Sequence, residues 1–191
     1  DLLGQSKIET STEYRATNLE QLDLVGGLGG DLSIDAKEIY IINGSLDVGT
    51  KGSGESGTAK IKSDMLLMKG GKINADASGE SYTTENRPTG EMEAFEVSGE
   101  DTWHLATGSG PLVEINTERI ELSEESRIDI KATGAGDAGM LSIETDFLEL
   151  AGESKISTKA TKTGDGGAIF IDADKVLLTD GSEVETLTEY I

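Results

Sequence analysis

For chemistry the chain carries one histidine, no cysteine, and 37 aspartates and glutamates. Without cysteine there is no thiol nucleophile, no disulfide and no thiolate-bound zinc. One imidazole cannot build a multi-histidine metal site, and it leaves a Ser-His-Asp arrangement a single candidate base. That base, His104, lies between Trp103 and Leu105. Both neighbours are expected to face a core, so His104 is expected to face solvent, flanked by Asn74 and Asp129. Paired carboxylates could cleave glycosides, but among 37 acids chance pairs arise on any surface. A polysaccharide lyase needs a basic proton acceptor, often Arg or Lys, beside acidic calcium ligands; the arginines are Arg15, Arg87, Arg119 and Arg127, and no acidic triplet is visible beside Arg119 or Arg127. Asp137 and Asp165 lie in glycine-rich turns and recur at 28 residues. The calcium-binding nonapeptide needs a recurrence of about nine. They are expected to shape turns, leaving only weak surface calcium as a cation role. Gly26-Gly27-Leu28-Gly29-Gly30 leads into a strand and not a helix, so it is no phosphate cradle. No catalytic residue, cofactor or metal site is assigned, and the chain is read as a non-enzyme.

Charge narrows the partners. With 16 basic residues against 37 acidic ones the formal net charge is -21. Phosphate neutralisation needs clustered Lys and Arg, so nucleic acid is excluded as a partner, and an anionic membrane surface with it. No apolar run reaches the ~18 residues of a membrane span. The first residue is Asp1 and no charged-then-apolar leader follows. The chain therefore reads as a processed product or a piece of something longer.

The elements that must position these residues come from a repeat. Five segments read apolar-x-Ile-x-small, centred on Ile34, Ile61, Ile115, Ile143 and Ile171, with spacings of 27, 54, 28 and 28. A second apolar column follows at Ile39, Leu66, Phe95, Ile120, Leu148 and Val176. A third follows at Leu46, Ile73, Trp103, Ile128, Ile156 and Val184. Phe95 and Trp103 come from a degenerate copy whose first segment is eroded by Pro88 and Gly90. Each unit holds three short runs of period 2, the strand period, and none shows a 3.6-residue stripe. Asn43-Gly44, Gly70-Gly71, Gly152 and Asp180-Gly181 supply turns between them. A period of 27–28 without helix fits one triangular turn of a parallel β-helix, with inward side chains stacked in columns. Six to seven coils are expected. Residues 1–191 read as one segment of a longer repeat protein, with an insertion at 12–30 and a second lengthened connection at 78–90. Tyr40 and Leu67 are expected side by side on the outer face, where they would make a lateral contact.

Gly139-Met140-Leu141-Ser142-Ile143-Glu144-Thr145, Gly166-Gly167-Ala168-Ile169-Phe170-Ile171-Asp172-Ala173 and Leu177-Leu178-Thr179-Asp180-Gly181-Ser182-Glu183-Val184 resemble the repeats of filamentous haemagglutinin-like exoproteins. These are bacterial proteins exported by two-partner secretion. The resemblance implies a right-handed parallel β-helix, export to the cell surface or beyond, and filament or adhesion work. The expected role is a structural rod of an extracellular filament. An adhesin that binds a glycan or receptor through the 12–30 and 78–90 loops is the second reading, and a polysaccharide lyase or hydrolase the third. Segments 6–14 and 182–190 coincide at six of nine positions, 176 residues apart. The expected partner is therefore a further copy, either stacked end to end or joined as a tandem repeat.

So acidic a surface holds rods apart laterally at low ionic strength. Raising salt or adding calcium is expected to increase side-by-side association in light scattering. Scattering indifferent to both would remove charge repulsion as the controlling term.

Overall fold

The computed structural model describes residues 2–3, 6–13, 30–51, 56–78, 80–82, 103–105, 110–133, 137–161 and 165–189. Every regular element among them is a β-strand. Short strands come first: β1 (Leu2–Leu3), β2 (Lys7–Glu13), β3 (Leu32–Asp35), β4 (Glu38–Ile42) and β5 (Ser45–Lys51). Then long and short strands alternate: β6 (Thr58–Lys69), β7 (Lys72–Ser78), β10 (Leu112–Ser123), β11 (Arg127–Ala132), β12 (Met140–Leu150), β13 (Lys155–Thr161), β14 (Ala168–Leu178) and β15 (Glu183–Glu189). Two three-residue strands, β8 (Glu80–Tyr82) and β9 (Trp103–Leu105), fall between β7 and β10.

The chain passes back and forth between two parallel sheets. One runs β1-β4-β6-β10-β12-β14, with β3 also paired to β6, and the other runs β2-β5-β7-β11-β13-β15. Every rung lies on its repeat homologue. Ile34 pairs with Ile61, Ile61 with Ile115, Ile115 with Ile143, and Ile143 with Ile171. The second sheet aligns Leu46, Ile73, Ile128, Ile156 and Val184 in the same way. Side chains from both sheets share one apolar core. The inward positions of these strands are mostly Ile, Leu and Val, and the outward positions are mostly polar.

The expected three short strands per unit run together as two. In β6, β10 and β12 the first two runs form one bent strand. The inward positions of β6 are Ala59, Ile61 and Ser63, and after the bend Leu66 and Met68. The alternation changes phase at Asp64-Met65, where both amides donate to the carbonyl of Lys37, at 2.9 and 3.3 Å. Small residues stand at this inner corner: Ser63 is paired with Thr117, and Thr117 with Thr145. Thr145 donates to the carbonyl of Glu118 at 3.1 Å.

The degenerate copy is not a rung. Ile61 pairs directly with Ile115, Leu66 with Ile120, and Ile73 with Ile128. No place is left for Phe95 between Leu66 and Ile120, or for Trp103 between Ile73 and Ile128. Trp103 instead belongs to β9, which pairs antiparallel with β8 outside both sheets. Phe95 lies outside the described residues, as do most of the 12–30 and 78–90 segments. The degenerate copy is therefore absent from the ladder, which β7 leaves at Ser78 and β10 rejoins at Leu112. Its removal lowers the expected six to seven levels to five plus a partial first one, formed by β1 and β2, among the described residues.

Burial follows position along the stack. Ile61, Leu66, Ile73, Ile115, Ile120, Ile128, Ile143, Leu148, Ile156 and Leu46 are at most 2% exposed. Ile39 is buried, and Ile34 and Ile171 are half-buried. Val176 and Val184 keep their places in the columns, but among the described residues no strand lies above the last rung. They are 45% and 36% exposed.

Ile143→Ala removes a fully surrounded side chain and is expected to destabilise by about 2–5 kcal/mol. Val176→Ala, half open to water, should lose less than about 1 kcal/mol. Equal losses in urea unfolding would contradict the burial gradient.

Candidate functional site

The turns that join the sheets set the geometry of everything outside them. Each short turn needs left-handed backbone: Asn43, Gly70, Glu124 and Glu125, Gly152 and Glu153, Asp180 and Gly181 all have positive φ. Glutamates at φ 56° and 61° bear a strain that Asn and Gly avoid. A serine closes these turns. Ser126 Oγ donates to the Ser123 carbonyl at 2.6 Å, and Ser154 Oγ donates to the Ala151 carbonyl at 2.6 Å. The next rung is tied in as well, because the Ser154 amide donates to Ser182 Oγ at 3.2 Å. The sequence reading missed these serines. Their signal is a Ser-basic-Ile triplet, Ser126-Arg127-Ile128 and Ser154-Lys155-Ile156, repeated at the coil period.

The polar side chains on the outer faces are largely paired with one another. Asn74 donates to Asp47 at 2.6 Å, and Ser157 donates to Asp129 at 2.6 Å. Lys131 meets Asp129 at 3.1 Å, and Lys60 meets Glu114 at 2.8 Å. Arg119, weighed above as a proton acceptor, lies against Glu121, and its guanidinium sits 4.3 Å over the Phe147 ring. Asp137 accepts the amide of Asp165 at 2.8 Å, which is turn chemistry. Among the described residues no three His, Asp or Glu side chains converge as a metal would need. His104 falls in β9 opposite Ser81, while Asn74 and Asp129, its expected flanking neighbours, pair directly with each other. Tyr40 and Leu67 do pair side by side. The row beyond them continues with Glu121 and Glu149, so the apolar patch stops at two residues.

What remains open is the last rung. β14 is bonded to β12 and β15 to β13, and among the described residues no strand lies on their other sides. Val176, Leu178 and Val184 are 45%, 43% and 36% exposed, although each extends a column that is buried one rung below. This is apolar surface next to unpaired amides and carbonyls, the combination that adds a further strand. Comparison with known proteins finds no matching family model, no matching curated protein and no matching solved structure.

The second outer face carries a titrating group. Asp76 lies opposite Gly49, where an added Cβ would come within 2.3 Å of the Asp76 carbonyl. Desolvation raises the Asp76 carboxyl above its ordinary value of 3.8; Lys131 opposes the shift, while Asp129 and Asp47 add to it. The side chain is still exposed, so solvent screening limits the effect on stability. A carboxyl with a higher pKa folded than unfolded holds its proton more tightly in the folded state. Its ionised form opposes folding above the folded pKa, and the penalty vanishes below 3.8. Asp76→Asn is expected to raise the urea midpoint near neutrality, with the gain fading as pH falls through 3.8. A gain independent of pH would assign the effect to packing instead.

Proposed function

We propose that the chain is a segment of a right-handed parallel β-helix and serves as a structural rod of a secreted or cell-surface filament, built by end-to-end contact of copies. The observation that carries the reading is the last rung, where three core columns run out into solvent beside two unpaired strand edges. An uncovered strand edge of this kind is a site for uncontrolled strand addition. A stack of copies removes it. The resemblance to filamentous haemagglutinin-like repeats and the six-of-nine match of segments 6–14 and 182–190 support the same reading. So does the charge of -21, which keeps rods apart sideways while their ends join.

One observation favours an additional adhesive role. The chain leaves the ladder after Ser78 and rejoins it by Leu112, and the antiparallel pair β8–β9 lies outside both sheets. A module carried on a rod without interrupting it suits recognition of a surface glycan or receptor.

Val184→Asp places a charge in the exposed column without touching the buried rungs. End-to-end association followed by light scattering and sedimentation is expected to weaken about tenfold or more, while the unfolding midpoint moves little. Unchanged association would sink the proposal.

A further inference from the structure

The end-to-end reading does not say which strands meet, and the two ends are unequal. The C-terminal rung is whole, with β14 over Ala168–Leu178 and β15 over Glu183–Glu189. Among the described residues the outermost N-terminal rung is half of one. β2 covers β5 along its length, but β1 covers only Ile41 and Ile42 of β4. Among the described residues nothing lies along the outer side of β3, where Leu32 and Ile34 are half-buried. If a second copy merely set its β2 against β15, the first half of β14 and the outer side of β3 would stand one strand width too far apart, about 4.8 Å.

The sequence offers a better fit. β2 and β15 are near copies. Glu9, Thr10, Thr12 and Glu13 recur as Glu185, Thr186, Thr188 and Glu189, Ile8 recurs as Val184, and Leu2 recurs as Leu178, all at an offset of 176. In this structure Leu2 lies on Ile41 and Ile8 on Leu46. Put Leu178 and Val184 in those places, and continuation of the two registers lays Val176 on Ile39, Ile171 on Ile34 and Ile169 on Leu32. The inward apolar side chains of the open rung then meet apolar partners, and Lys175 faces Glu38. The strands left uncovered at both ends are covered together.

Resting on the end-to-end reading, we propose that the last rung, β14–β15, of one copy displaces β1–β2 of a second copy of this chain and seats itself on that copy's β3, β4 and β5. Strands β1 and β2 thus hold the places that β14 and β15 would take. Their hold is an edge hold, since Ile8 is 37% exposed. One favourable contact is lost in the exchange. Lys7, bridging Asp47 and Glu9 at 3.0 Å each, gives way to Glu183, so screening by salt assists the displacement.

The chain has no native cysteine to confuse a cross-link. Full-length Glu185→Cys is mixed with full-length Asp47→Cys, and separately with Glu9→Cys, and treated with a thiol cross-linker that spans one strand spacing, about 4.8 Å, and not two. Displacement gives intermolecular product with Asp47→Cys and little with Glu9→Cys. Introducing Ile8→Asp into the Asp47→Cys chain loosens its own β2 and should raise that yield about tenfold. Product with Glu9→Cys alone, or a yield lowered by Ile8→Asp, would overturn displacement and leave simple end-to-end stacking standing. No product with either, from a chain that sediments as a monomer, would overturn both.

Discussion

The structure depends on one constraint: each residue must sit on its own homologue in the neighbouring rung. Parallel backbone hydrogen bonds enforce it, because a slip of one residue would turn every inward side chain outward. Ile on Ile, Leu on Leu and Ser on Ser follow from the period. So does the chemistry of the outside, where Asp47, Asn74, Asp129 and Ser157 form a row in which Asn74 bonds Asp47 and Ser157 bonds Asp129. A polar residue on such a row answers first to the residues above and below it. That is why Arg119 lies against carboxylates and an aromatic ring.

The same constraint makes the middle and the ends of the molecule chemically different. Ile143 and Ile171 occupy equivalent positions, yet the first is buried and the second only half-buried. No change of residue type distinguishes them, and the difference lies in the number of neighbours. In a stack of this kind stability is shared between adjacent levels, so the last level is always the least secure.

Much of this was legible in the sequence, for a physical reason. Period 2 identifies strands, and the 27–28-residue period brings Ile34, Ile61, Ile115, Ile143 and Ile171 into one column. The place of Trp103 was not legible. The gap between Ile61 and Ile115 is 54 residues, or two periods, and a two-period gap accommodates an intervening rung or a looped-out one equally well. Alternation around Phe95 and Trp103 suggests strands, but alternation cannot say whose edge a strand joins. The exposure of Val176 and Val184 was illegible for a similar cause, since a column shows which way a side chain points and not whether anything covers it. The corner serines escaped notice because a hydroxyl bonded to a local carbonyl leaves no hydrophobic signal.

The hydrogen bonds between rungs all point along the stacking direction, and this gives the structure a mechanical character. A pull along that direction loads the rungs in series and peels them from the weaker end. A rung adds about 5 Å to the height of the stack, but its 28 residues release about 90 Å of chain when it lets go. The molecule would therefore act as a spool that limits tension by paying out length.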